Sequence, residues 1–175
     1  ESRKQLWQRL PGEEKQRYER LAGKFGEIIK LCEENTVIAR DLLQAELVKV
    51  DRLAQSFLDL IVSASTIRTH IRQTDRRSIE FSIEKFAKEA EATNHEDMAG
   101  VARQNLEVLR KRLIKLDEAQ VFVTKANGQL DLIENTFALI ADQIVTMRSP
   151  KELGSQLDAI ITGVETVKSA ALETA

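Results

Sequence analysis

One stretch of the chain repeats apolar residues at alternating steps of three and four positions. The run comprises Ala119, Val123, Ala126, Leu130, Ile133, Phe137, Ile140, Ile144 and Met147. Steps of this size keep side chains on one face of an α-helix, so the run predicts a long helix packed along its length against other helices. The expected fold is therefore elongated and helical.

The composition of the chain also favours an all-α fold. Only 2 prolines and 7 glycines occur in 175 residues, and aromatic residues make up 5%. These values are typical of long helices rather than of sheets with many turns. The apolar content of 42% is enough for one core, and a chain of this length requires no second domain. We predict a single helical domain over residues 1–175.

Short polar or proline-containing segments mark the helix boundaries. The segments are Leu10-Pro11-Gly12, Asn35-Thr36, Thr93-Asn94-His95 and Ser149-Pro150-Lys151-Glu152, the last with the pattern of a capping box. They predict helices over residues 12–34, 36–92, 96–148 and 150–173, with a short extra turn or helix in the first ten residues. The Asn127-Gly128 dipeptide is typical of turns, but the apolar pattern stays in phase across it, so a continuous helix is predicted there.

The two central helices are predicted to form an antiparallel hairpin about residues 93–95. Each contains one repeated three-residue step, Ala64 to Ile67 and Leu116 to Ala119, and a hairpin turn places both steps at about the same height. The outer helices are expected to fold back along the open end. The result is a four-helix bundle over residues 12–63 and 119–173, with a two-helix coiled-coil arm over residues 64–118.

Apolar residues off the helical seam divide into two groups. The first group lies in the bundle half and is expected to be covered by several neighbouring helices. Its members are Val121, Phe122, Leu132, Leu139 and Val145. On the arm, Phe81, Val101 and Val108 are expected to form one patch that a two-helix arm leaves uncovered. This patch favours contact with a protein partner or with a second copy of the chain, over scattered surface apolar residues that need no explanation.

A basic band lies on both sides of the predicted turn. It consists of Arg68, Arg72, Arg76, Arg77, Arg103, Arg110, Lys111, Arg112 and Lys115. The predicted hairpin brings residues 72–77 opposite residues 108–113, so the two clusters are expected to meet. They would contact phosphates of an anionic lipid, or less readily of nucleic acid because no aromatic residue is interleaved. An ordinary solvated face is the favoured alternative, because Asp75, Glu80 and Glu107 are interspersed.

No pattern of residues points to catalysis or to metal binding. His70 and His95 lack the Glu-x-x-His pairing of metal-binding bundles, and no phosphate loop or nucleophile elbow occurs. Cys32 is in phase with the apolar face of its helix and is expected to be a buried core thiol. We therefore expect no catalytic residue, metal, cofactor or small-molecule substrate. A ligand-binding sensory bundle is the remaining alternative, with Asn127 and Gln143 as its candidate polar residues.

The function predicted from these features is that of a scaffold or adaptor within a larger cytoplasmic assembly. The net charge of −2 gives no general attraction to polyanions, and binding of anionic surfaces through the basic band is the main rival. The sequence contains no run of about 20 consecutive apolar residues, the length that a membrane-spanning helix needs. The amphipathic segment around Trp7 leaves open a location at the membrane periphery, although packing of this segment on the bundle is favoured. Because the chain begins at Glu1, it is expected to be processed or cut from a longer protein.

Overall fold

The computed structural model describes residues 2–34, 40–145 and 151–174, and every regular element in these ranges is an α-helix. The helices are α1 (Arg3–Arg9), α2 (Gly12–Glu34), α3 (Arg40–Gln73), α4 (Arg76–Ala92), α5 (Glu96–Ile144) and α6 (Lys151–Thr174). The all-α prediction is confirmed, as is the continuous helix through Asn127 and Gly128. The predicted boundaries at 35–36 and 149–150 lie outside the described residues.

The N-terminal segment forms a short helix that packs on α3. Ser2 caps α1 and forms a capping box with Gln5, while Leu6 and Leu10 are buried. The Arg3 guanidinium donates to the Asp51 carboxylate of α3 at 2.8 Å. The favoured interpretation, in which this segment packs on the other helices, therefore agrees with the structure.

The predicted single helix over residues 36–92 is wrong, because a break at Thr74 and Asp75 separates α3 from α4. Asp75 has an extended backbone and its carboxylate accepts a hydrogen bond from the Ser78 backbone N–H at 3.1 Å. A short acidic side chain that bonds to a nearby backbone N–H competes with the helix and favours the N-cap position. Asp75 therefore starts a new helix where the apolar pattern alone predicts continuation.

Replacement of this cap should destabilise the chain measurably. We expect Asp75→Ala to lower the free energy of unfolding by about 1 kcal/mol, because the Ser78 N–H loses its acceptor. Asp75→Asn should cost far less, since the amide oxygen still accepts that bond. Urea unfolding followed by circular dichroism compares the two variants, and equal stability of both would contradict the capping role.

The register between the central helices also differs from the prediction. The Arg76 guanidinium donates to Asp117 at 2.5 Å, and that of Arg68 donates to Asn127 at 3.2 Å. The predicted hairpin instead placed residues 76 and 68 level with residues 109 and 117. The break contributes only between residues 68 and 76, where eight positions on α3 and α4 span ten on α5, because extended residues rise more per position than helical ones. The larger part of the difference arises between Arg76 and the turn at residues 93–95. The three-residue step from Leu116 to Ala119 consequently lies beside the break and not beside Ala64.

A single cluster of buried side chains joins α1, α2, α3, the C-terminal half of α5 and α6. Its largest fully buried members are Phe57, Phe137, Ile28, Leu53, Leu58, Leu60, Leu130, Ile133, Ile140, Ile144, Leu157 and Val50. Ile67 and Ile71 also pack against it, so the core reaches beyond the predicted start of the arm at residue 64. Cys32 belongs to this cluster, and burial raises the pKa of its thiol, as befits a core residue.

The α4 helix packs along the first half of α5. The buried residues Ile79, Ala99, Ala102 and Leu116 of this pair lie outside the main cluster. The α5 helix therefore changes partner along its length, packing with α4 near its start and with α2, α3 and α6 further on. The irregular step in its apolar pattern marks this change.

The expected covering of the off-seam apolar residues is wrong for most of them. Phe122 is buried, but Val121, Leu132, Leu139 and Val145 are exposed. The outer helices flank α5 and leave the face opposite its core side open. Within the described ranges, no helix has the length and apolar content needed to cross a membrane.

Candidate interaction surfaces

The three apolar residues predicted to contact a partner are all more than half exposed. Phe81 lies two positions from the buried Ile79, which is a rotation of about 200° around α4. Its side chain is therefore on the face of α4 opposite α5. Val101 and Val108 are seven positions apart and share one face of α5. The structure thus brings the two valines together but separates Phe81 from them, contrary to the predicted single patch.

A groove of about 730 Å³, here called the tip groove, lies between the end of α4 and the start of α5. Its lining is mainly apolar and comprises Phe86, Glu89, Ala92, Thr93, Asp97, Met98, Val101 and Ala102. Met98 and Val101 are the most accessible of the apolar members, each more than half exposed. An apolar groove of this size accommodates side chains of a partner segment. Val101 was identified from the sequence, whereas Met98 was missed although it lies one helical turn away.

The segment that joins α4 to α5 is acidic. Residues 89–97 contain Glu89, Glu91, Glu96 and Asp97 but no lysine or arginine. Glu89 and Asp97 line the groove itself. The basic residues that form ion pairs with this segment lie outside it. Lys85 pairs with Glu89, and Arg103 pairs with Glu96. The groove therefore combines apolar walls with a negative rim.

Five of the nine residues of the basic band are paired with carboxylates in the structure, among them Arg103 with Glu96. Arg68 pairs with Glu14, Arg76 with Asp117 and Glu80, Lys111 with Glu107, and Lys115 with Glu118. The hydrogen bond that Arg76 donates to Asp117 is the main cause that raises the pKa of Arg76, and the bond that Lys111 donates to Glu107 is the main cause that lowers the pKa of Glu107. Within the described part of the chain, no ion pair is formed by the other four members of the band, Arg72, Arg77, Arg110 and Arg112. The pairing neutralises much of the predicted band.

A second groove, of about 460 Å³, gathers arginines from α2 and α3 beside α5. Its lining residues are Pro11, Glu13, Glu14, Arg17, Arg20, Ile61, Ser65, Arg68, Thr69, Arg72 and Asn127. Arg17 is anchored by bonds to Glu134 at 2.7 Å and Asp131 at 2.6 Å, and chiefly the Glu134 bond raises its pKa. Arg20 and Arg72 are exposed and have no ion pair among the described residues. We refer to this feature as the arginine groove.

The arginine groove contains one residue that the sequence singled out for a polar pocket, Asn127, which accepts a hydrogen bond from Arg68. No sequence pattern pointed to Arg17 and Arg20, because their helix was expected only to fold back along the open end of the hairpin. Gln143, the other candidate amide, is half-buried and is absent from the lining of the groove. In the described residues, no group of three or more His, Cys, Asp or Glu side chains is placed to hold a metal ion.

Comparison with known proteins gives no relationship for this chain. No protein family model matches it, and neither the curated proteins nor the solved structures contain a significant match.

Proposed function

We propose that this chain is a non-enzymatic scaffold or adaptor module of a larger cytoplasmic assembly, free in the cytoplasm or peripheral to a membrane. In this proposal α2, α3, α5 and α6 form a four-helix bundle, and α4 with the first half of α5 forms a projecting two-helix arm. The contacts of α5 with each of these helices support the arrangement. The module acts by holding a protein partner at a fixed distance from the bundle.

The observation that carries the proposal is the tip groove, an apolar cleft with exposed Met98 and Val101 and an acidic rim. Exposed apolar residues gathered in a groove favour association, since their burial releases about 25 cal/mol per Å². The carboxylates of Glu89 and Asp97 favour a partner with basic residues beside its apolar anchors. The preferred partner is therefore a basic amphipathic segment of another protein.

Site-specific photo-crosslinking in cells that express the chain tests this function. We place p-benzoylphenylalanine at position 101 in the groove and, as a matched control, at position 48, because Val48 is a valine on α3 that is also more than half exposed. A discrete protein adduct is expected from position 101, and Met98→Glu should suppress it. The same adducts from position 48, or no adduct from any probe on the arm, would contradict the proposal. Probes at positions 81 and 108 extend the test to Phe81 and Val108.

The arginine groove supports a second candidate function, the binding of a small anionic ligand between helices. Its lining has four arginines against two glutamates, and Arg20 and Arg72 are the two without an ion pair among the described residues. Planar guanidinium groups bind phosphate and carboxylate oxygens in a bidentate manner. Such a ligand would connect α2 and α3, as expected for the sensory bundle alternative.

Thermal unfolding with inorganic pyrophosphate as the probe tests this second candidate. Binding to the folded state raises the unfolding temperature, and Arg20→Ala with Arg72→Ala should remove the shift. The control is Arg77→Ala with Arg112→Ala, which removes equal charge elsewhere. No stabilisation of the wild type, or equal loss in both variants, would exclude the groove as an anion site.

The rival function, binding of anionic surfaces through the basic band, predicts a different pattern. Vesicles containing phosphatidylserine and a single-stranded oligonucleotide would bind with an affinity that falls steeply as salt rises. Combined reversal of Arg110, Lys111 and Arg112 to glutamate would abolish that binding, whereas Arg20→Ala, which lies outside the band, would leave it intact. Salt-independent binding, or binding that survives the reversal, would exclude the band.

A further inference from the structure

Four large apolar residues form a straight line along the outer face of α5. They are Ile114, Val121, Leu132 and Leu139, with exposed fractions of 56%, 51%, 44% and 47%. Their separations of seven and eleven positions each return to within about 20° of the same direction on an α-helix. The line, here called the α5 stripe, extends for about 38 Å at 1.5 Å per residue. Single exposed apolar residues are common on protein surfaces and need no explanation, but a continuous apolar line of this length is typical of an interaction surface.

Neighbouring helices flank the α5 stripe without covering it. On one side Arg17 of α2 bonds to Asp131 and Glu134, and on the other Gly163 of α6 lies against Gln129. Residues of the opposite face, such as Ile133 and Phe137, fill the core. Ile114 and Val121 line a groove of about 350 Å³ together with Val167 and Ala170 of α6, so this end of the stripe lies beside α6. About half of each stripe side chain nevertheless remains exposed and available to another molecule.

Gly128 lies on this face, near the middle of the stripe. Glycine within a helix costs about 1 kcal/mol relative to alanine, and a Cβ added at this position would meet no atom within 4 Å. Packing inside the chain therefore gives no reason for its presence. A glycine at this place does permit the backbone of another helix to approach closely.

The stripe is complementary to itself in the antiparallel direction. A two-fold axis between residues 126 and 127 places Ile114 opposite Leu139 of a second copy, and Val121 opposite Leu132. The same axis brings Arg110 beside Asp142 of the other copy, and neither has an ion pair within the described residues. A parallel pairing in register would instead place Lys125 beside Lys125 and Asp117 beside Asp117, which is unfavourable. Shape and charge thus both select a second copy in antiparallel orientation.

We propose that two copies of this chain associate through the α5 stripes as an antiparallel dimer with two-fold symmetry. Each apolar residue of one stripe then has an apolar partner on the other, as an isologous interface requires. The two Arg110–Asp142 pairs close the ends of the interface and fix the register. This association uses α5 from Arg110 to Asp142, which covers most of the bundle half and the adjoining end of the arm. It leaves the tip groove free, and the arms of the dimer project in opposite directions.

Sedimentation equilibrium across a concentration series tests the association on the full chain. We expect the wild type to be dimeric, and Val121→Glu with Leu132→Glu to raise the dimer dissociation constant at least about tenfold. Because both residues are exposed, the variant should retain its helical circular dichroism and cooperative unfolding. Val48→Glu with Gln156→Glu is the matched control, because both positions are exposed and lie on α3 and α6; it should remain dimeric. A monomeric wild type, or a dimer that survives the stripe substitutions, would overturn the proposal.

Disulfide trapping tests the register separately. In a Cys32→Ala background, mixing Val121→Cys chains with Leu132→Cys chains should give a crosslinked heterodimer on mild oxidation. Val121→Cys alone should not crosslink, because the two positions 121 lie about 16 Å apart along antiparallel helices. Arg110→Glu should weaken the dimer, and added Asp142→Arg should restore it. Crosslinking of Val121→Cys with itself, or failure of the charge exchange, would contradict the antiparallel arrangement.

Discussion

Phe57→Ala should lower the free energy of unfolding by about 3–5 kcal/mol, the range found when a large aromatic side chain is removed from a packed core. Phe57 is fully buried. Its ring stacks on Tyr18 of α2 with centroids 6.4 Å apart, and the Arg17 guanidinium lies 5.7 Å from the ring centre. The substitution therefore removes contacts between α2 and α3 as well as apolar burial. Urea unfolding followed by circular dichroism at a fixed protein concentration measures the loss.

Phe81→Ala is the matched control, because it removes the same side chain from the exposed face of α4. A change within about 0.5 kcal/mol is expected for a surface position of this kind. If both substitutions cost the same, the assignment of Phe57 to the core and of Phe81 to the surface is wrong. The fixed concentration matters, since association of the folded chain adds to its apparent stability.

The helical class and two of the helix boundaries follow from local features of the sequence. The start of α2 at Gly12 and the turn at residues 93–95 agree with the prediction because proline, glycine and clustered polar residues act within a few positions of themselves. The path of α5 through Asn127 and Gly128 followed from the unbroken phase of the apolar residues. Such signals are carried by neighbouring residues and require no knowledge of tertiary contacts.

The break before α4 and the helix register were beyond this reasoning. An aspartate within a helical pattern is compatible with an exposed position, and only the hydrogen bond to the Ser78 N–H distinguishes a cap. The register was inferred from a symmetric turn and two irregular steps in the apolar pattern. The irregular step in α5 instead marks the place where its packing partner changes from α4 to α3. The apolar pattern of one helix is the same for such a change and for a local overwinding of two paired helices, so the sequence alone does not distinguish them.

The candidate surfaces divide in the same way. The exposure of Val101 and Val108 follows from their positions off the seam, because the direction of a side chain around a helix depends only on residue spacing. The arginine groove requires α2, α3 and α5 to meet at a particular height, so Arg20 and Arg72 are brought together by packing alone. Similarly, Val121 and Leu132 were expected to be covered because their helix has several neighbours. The positions of the neighbouring helices around α5 leave both side chains exposed.

Leu157→Ala should lower the free energy of unfolding by about 2–5 kcal/mol, as for other fully buried leucines. Leu157 of α6 is fully buried, and its cluster also contains Leu153, Ile161 and Val164 of the same helix. An α6 that extended outward as part of a rod would leave this side chain in water, where its removal costs little. The size of the effect, measured by urea unfolding, therefore distinguishes a folded-back outer helix from an extended one.

Gln156→Ala separates packing from helix propensity in this experiment. Gln156 is adjacent to Leu157 on α6 but exposed, and alanine is the better helix former at both positions. Its substitution should leave stability unchanged or raise it by a few tenths of a kcal/mol, so a large loss at Leu157 alone reports burial. Because α6 contacts both α3 and α5, that loss would extend to the whole cooperative transition rather than to a separate early phase. Equal and small effects at both positions would mean that α6 does not pack on the core, and the four-helix arrangement would have to be abandoned.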